Sequence, residues 1–125
     1  MGASKGSTKG VRLRDGLLRF ALGLPEAWED HPWEESVAKV GKKVFLFCGG
    51  ADPEDPPVTL KLAESHEQAL DLGAELAGYG LGKAGWVTVT CSKVPAAILE
   101  DWAEESYRLV APKRLVALLD GAHTG

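Results

Sequence analysis

SVAKVGKKVFLFC, residues 36–48, reads as two β-rich runs, 36–40 and 43–48, meeting at Gly41-Lys42. A Gly-X pair between such runs is a signal for a two-residue hairpin turn. Downstream, Val58 to Leu62 alternates, with Val58, Leu60 and Leu62 opposed to Thr59 and Lys61. Trp86 to Cys91 alternates too, setting Val87, Val89 and Cys91 against Trp86, Thr88 and Thr90. Period-two alternation marks strands with one face buried. Three segments, 36–48, 58–62 and 81–94, are therefore expected to form an antiparallel sheet.

Helical spacing fills the intervals. Leu13, Leu17, Phe20 and Ala21 predict a first helix from Val11 to about Leu22, ended by Gly23 and Leu24-Pro25. Ser65 followed by Gln68 has the pattern of a capping box and opens a second. Pro95 opens the longest helix as a first-turn proline. Its expected buried stripe is Ile98, Leu99, Trp102, Leu109 and Val110; Glu100, Asp101, Glu104 and Glu105 form its solvated side. Pro112 starts a C-terminal helix that Gly121 should end. Residues 26–35 read as a short strand or irregular segment. The expected fold class is α+β: a single compact domain over 11–120, with an antiparallel sheet and helices on one face. A flexible basic tail, 1–10, should precede it, and residues 121–125 should fray.

Length and composition suit one globular core: 125 residues, 45% hydrophobic and 26% charged. No run approaches the roughly 20 apolar residues of a membrane span, and no apolar block follows the N-terminus. The expectation is a cytoplasmic protein that uses no membrane; its oligomeric state is left open, with a monomer favoured. Cys48 and Cys91 stand far apart in apolar stretches, which suits two reduced, buried thiols.

Net charge is −4, which disfavours a generic nucleic-acid binder, yet the charge is unevenly spread. The three sheet segments hold Lys39, Lys42, Lys43, Lys61, Lys83 and Lys93 and no Asp or Glu. If the aliphatic set faces the helices, the open side collects Lys43, Phe45, Phe47, Thr59, Lys61, Trp86, Thr88 and Thr90. Lysines with interleaved aromatics can neutralise phosphates and stack bases. Two plainer readings compete: edge lysines that discourage strand pairing, and aromatics that pack beneath the helices.

Catalytic and metal constellations do not emerge. His31 lies among acids, but Pro32 interrupts the segment and a metal site needs three or four convergent ligands. The glycines at 78, 80, 82 and 85 precede a strand and do not match a phosphate-loop pattern. No cofactor and no enzymatic activity are expected.

Four motifs together resemble the MmcQ/YjbR family. They are LPEAWE…PW…VAKVGKKVF from Leu24 to Phe45, VTLK from Val58, YGLGKAGWVTV from Tyr79 and WAEESYRLV from Trp102. The resemblance spans residues 11–119 in order, although Gly82 and Gly85 stand where many relatives carry larger residues. It implies a double-wing α+β fold, likened to a DNA-contacting domain of a phage transcription factor, and hence DNA as partner. Carried over, the contacts would come from Lys39, Lys42, Lys43, Lys61, Lys83 and Trp86. Two other functions stay open: a regulatory domain binding an acidic protein, or a small-molecule pocket walled by Trp28, Trp33 and Trp86.

Overall fold

The structure, a computed structural model, describes residues 8–32, 35–49, 54–78 and 80–124. Six strands form one antiparallel sheet in the order β1-β2-β3-β4-β6-β5. They are β1 (Ala27–Asp30), β2 (Ser36–Val40), β3 (Lys43–Cys48), β4 (Pro57–Lys61), β5 (Glu75–Leu76) and β6 (Trp86–Thr90). Four helices accompany them: α1 (Lys9–Leu22), α2 (His66–Asp71), α3 (Ala96–Val110) and α4 (Lys113–Thr124). The α+β reading holds.

The β2–β3 hairpin turns where expected. Gly41 takes φ 63°, which a residue with a Cβ rarely adopts, and Val40 pairs with Lys43 across the turn. One irregularity reassigns side chains. Ala38 lies opposite Leu46 and Lys39 opposite Val44, so Phe45 is an extra residue on β3. A bulge of this kind breaks the alternation. Phe45 and Leu46 consequently both enter the core, each fully buried. Phe45 meets Tyr107 of α3 edge-on, with ring centroids 5.3 Å apart. It therefore does not join Phe47 on the open side, as strict alternation predicts.

Two edge strands also correct the picture of an acid-free sheet. β1 brings Glu29 and Asp30, and β5 brings Glu75. Lys83 and Lys93 lie outside the strands, in 3₁₀ turns at 81–84 and 91–93. The AWED segment pairs residue for residue with β2, from Ala27 opposite Val40 to Asp30 opposite Val37.

Helix α3 carries the core contacts through Leu99, Trp102, Ala103, Ser106 and Tyr107. Two of these are polar and were not expected inside. Ser106 is fully buried; its hydroxyl donates to the Phe45 carbonyl at 2.6 Å and accepts from the Lys61 amide at 3.0 Å. It thus bridges β3 and β4 where they cease to pair directly, beyond Leu46–Leu60 and Phe47–Thr59. The Tyr107 hydroxyl donates to the Pro25 carbonyl at 2.7 Å, fixing the turn that leads into β1.

Glu105, expected in solvent, accepts from the amides of Ala63 and Ser65 at 2.7 and 3.2 Å. That carboxylate stands at the start of α2, where Ser65 makes no side-chain cap. Gln68 instead accepts from the Trp102 indole at 3.3 Å, so the expected capping box does not form. Thr8 caps α1, accepting from Val11 N, and the helix begins at Lys9 rather than Val11. Residues 1–7 of the expected tail lie outside the described residues. α4 runs through Gly121 to Thr124 rather than stopping there. Among the described residues, no helix is long and apolar enough to cross a membrane.

Candidate functional site

Away from α1 and α3, the sheet presents the alternate residues of its strands. Phe47, Thr59 and Thr88 line up across β3, β4 and β6, and the two threonine hydroxyls are 2.8 Å apart. One step along, Lys61 lies opposite Trp86. Phe47 and Trp86 meet at 5.5 Å in an edge-to-face arrangement. This open-face set matches the alternation except before the bulge, where Phe45 is buried and Lys43 pairs with the core residue Val40, leaving Val44 beside Lys39 on the open side.

Strand directions gather the lysines at one end. There the β2–β3 hairpin turns, β4 ends and β6 begins. Lys42 sits in the hairpin turn, Lys43 at the start of β3, Lys61 at the end of β4 and Lys83 in the turn that feeds β6. Gly85 makes this junction possible. Its φ is 101°, its carbonyl accepts from the Leu62 amide, and an added Cβ would stand 2.7 Å from the Leu62 oxygen. Only glycine lets the backbone pass there, and that passage delivers Trp86 opposite Lys61.

A cavity of about 320 Å³ opens at this end. Lys43, Val44, Phe47, Lys61, Trp86, Leu109 and Val110 line it, and no described carboxylate does. None of Lys42, Lys43, Lys61 and Lys83 forms an ion pair with a described carboxylate. Leu109 follows Trp102 by two helical turns on the same side of α3, which is why periodicity assigns it to the core. It is 42% exposed, because α3 there has run past the point where β3 and β4 pair. Periodicity carries no signal for a helix that overruns its sheet.

Lys39 does not join the group. Its ammonium donates to Asp30 at 2.8 Å and lies 5.2 Å from the Trp28 ring centre. The Lys39 hydrogen bond, and then that of the His31 amide, hold the Asp30 carboxyl below its ordinary 3.8. The Trp28 indole in turn donates to the Gly41 carbonyl at 2.9 Å. Lys93 stands at the opposite end of β6.

The three-tryptophan pocket does not form from the described pair. Trp28 is on edge strand β1 and Trp86 on β6, with β2, β3 and β4 between them, and Trp33 lies outside the described residues. A second cavity, about 330 Å³, shares Phe47 with the first but is bordered by Thr59, Thr88 and the acidic Glu35.

Other chemistry is sparse. Among the described residues, no group of three or more His, Cys, Asp or Glu side chains could hold a metal. Cys48 and Cys91 are free and buried, and burial pushes their thiols up to about 12 and about 11. Such thiols stay protonated and are poor nucleophiles at neutral pH.

The YjbR family matches the chain over residues 22–109. The chain belongs to the YjbR family. The matched stretch runs from the end of α1 to Leu109 and so takes in the whole sheet, the hairpin lysines and all of the cavity lining except Val110. No curated protein matches the chain.

Proposed function

We propose that this YjbR-family chain is a non-enzymatic module that binds nucleic acid, DNA foremost, weakly and with little regard to sequence. The observation that carries this reading is the lysine end of the open face. Four lysines that pair with no described carboxylate stand at this end, and two of them, Lys43 and Lys61, line the cavity with Phe47 and Trp86. Lysine ammoniums are point charges that neutralise phosphates, and each neutralised phosphate releases condensed counterions. No Arg, Asn or Gln lines the cavity, so the bidentate side chains that read base edges are missing from it. Affinity therefore comes from charge, with Kd in the range of about 10⁻⁴–10⁻⁶ M at physiological salt. The double-wing likeness implied by the family resemblance points the same way.

Fluorescence anisotropy with a labelled DNA duplex at 50 and 200 mM salt tests this. Four phosphate contacts predict about a hundredfold loss of affinity between those two conditions. A Lys43/Lys61/Lys83→Glu triple variant should lose measurable binding. Equal affinity of variant and wild type would end the proposal.

A further inference from the structure

We infer that the cavity at the lysine end receives one unpaired nucleobase, so that the chain prefers single-stranded over double-stranded nucleic acid. This rests on the nucleic-acid reading above and names which form the same site takes.

The reason lies in what the cavity presents besides charge. A surface that only neutralises phosphates needs cations alone, because a duplex turns its phosphates outward and keeps its bases stacked inside. Here Lys43 and Lys61 instead border a concavity built from two aromatic residues, Phe47 and Trp86, and three aliphatic ones, Val44, Leu109 and Val110. Against a duplex, that apolar wall would face sugar and phosphate and gain little. An unpaired nucleotide matches both halves of the lining: its base offers a planar face for the apolar wall, and its flanking phosphates meet the lysines.

Size agrees. At about 320 Å³ the cavity is near the lower limit of small-molecule sites, roughly 300–1,000 Å³, which suits one planar ring system. Lys42 and Lys83, exposed at the same end, continue the positive charge beyond the cavity. That extension favours a strand over a free nucleotide. The lack of base-edge readers in the lining predicts that any base is accepted.

The test compares a labelled ten-nucleotide oligothymidine with a labelled hairpin duplex of equal phosphate number, both at 50 mM salt with the full chain. The single strand should bind about tenfold tighter, the scale expected for one stacked base. Trp86→Ala should reduce that ratio to near one. Because Trp86 also packs on Phe47, Leu109→Ala serves as a second variant: Leu109 is exposed, and its loss should reduce the ratio without unfolding the chain. A duplex that binds as tightly as the single strand overturns the inference and leaves the phosphate-binding reading standing. A single-strand preference that survives both variants overturns it as well, as does displacement of the oligonucleotide by an equimolar mononucleotide. Absence of binding to either probe overturns the inference and the reading together.

Discussion

At the β1–β2 edge of the open face, Lys39 lies over Trp28 and is bonded to Asp30. At the end of the inner strands β4 and β6, Lys61 lies opposite Trp86, shares a cavity with Lys43, and has no carboxylate in the lining. Both places hold lysine and tryptophan on adjacent strands, yet only one has charge to offer a ligand. The difference is a single acid. β1 supplies Asp30 within reach of Lys39, whereas β4 and β6 carry Thr59, Thr88 and Thr90 where an acid could have stood. Composition alone equates the two regions. Pairing distinguishes a lysine that ties an edge strand to its neighbour from lysines available to an anion.

The comparison can be broken most severely at the free pair. Lys43→Glu with Lys61→Glu should weaken DNA binding by about a hundredfold at 50 mM salt, by anisotropy, through lost and reversed charge. A loss below threefold would mean that the cavity is not the phosphate site. Next in size is the support beneath it. Ser106→Ala leaves the Phe45 carbonyl and the Lys61 amide without the bridging hydroxyl, which should cost about 1–3 kcal/mol in denaturant unfolding. A stability unchanged within error would show that those two groups find other partners.

Asp30→Asn sharpens the contrast by releasing Lys39. It should raise affinity about threefold and steepen the salt slope by about one unit. Lys39→Ala, in the otherwise intact protein, should leave binding within about twofold, because that ammonium is already committed; a tenfold loss would refute its assignment. The smallest effect is with pH. The folded Asp30 carboxyl is held below 3.8, so the Lys39–Asp30 pair stabilises the fold above that value. Its contribution disappears only as pH falls through the depressed folded value. The pair therefore adds no pH dependence to binding between about pH 5 and 8. Carboxyl NMR of Asp30 should show a midpoint under 3.8, and a midpoint above it would contradict the pairing.

Much of the architecture was readable in the chain because it rests on local signals. The hairpin at Gly41-Lys42, the strands at 58–61 and 86–90 and the helix after Pro95 follow from turn chemistry and periodicity. What escaped depends on contacts between distant segments. Phe45 changes sides because β2 and β3 pair with one residue out of step, and nothing in VFLFC announces the bulge. Ser106 and Tyr107 are buried because their hydroxyls meet the carbonyls of Phe45 and Pro25, partners far away in sequence. AWED shows no strand alternation, so its two acids could not be placed in the sheet, and the partner of Lys39 stayed hidden.

Of the candidate site, Lys42, Lys43, Lys61, Lys83 and Trp86 stand at one end of the sheet; alternation pointed to Lys61 and Trp86 on one face, whereas Lys42 and Lys83 were indicated only by the family resemblance. Lys39 does not join them, for the reason just given. Leu109 was assigned to the core because a helix's periodicity does not record where its sheet ends; Val110 does pack against the core, partly buried.

The most direct measurement is the slope of log Kobs against log salt for wild type and for Lys43→Gln/Lys61→Gln with the same DNA. If these two ammoniums neutralise phosphates, the slope should become shallower by about two units, close to 0.9 for each charge removed. Identical slopes for the two proteins would contradict the account.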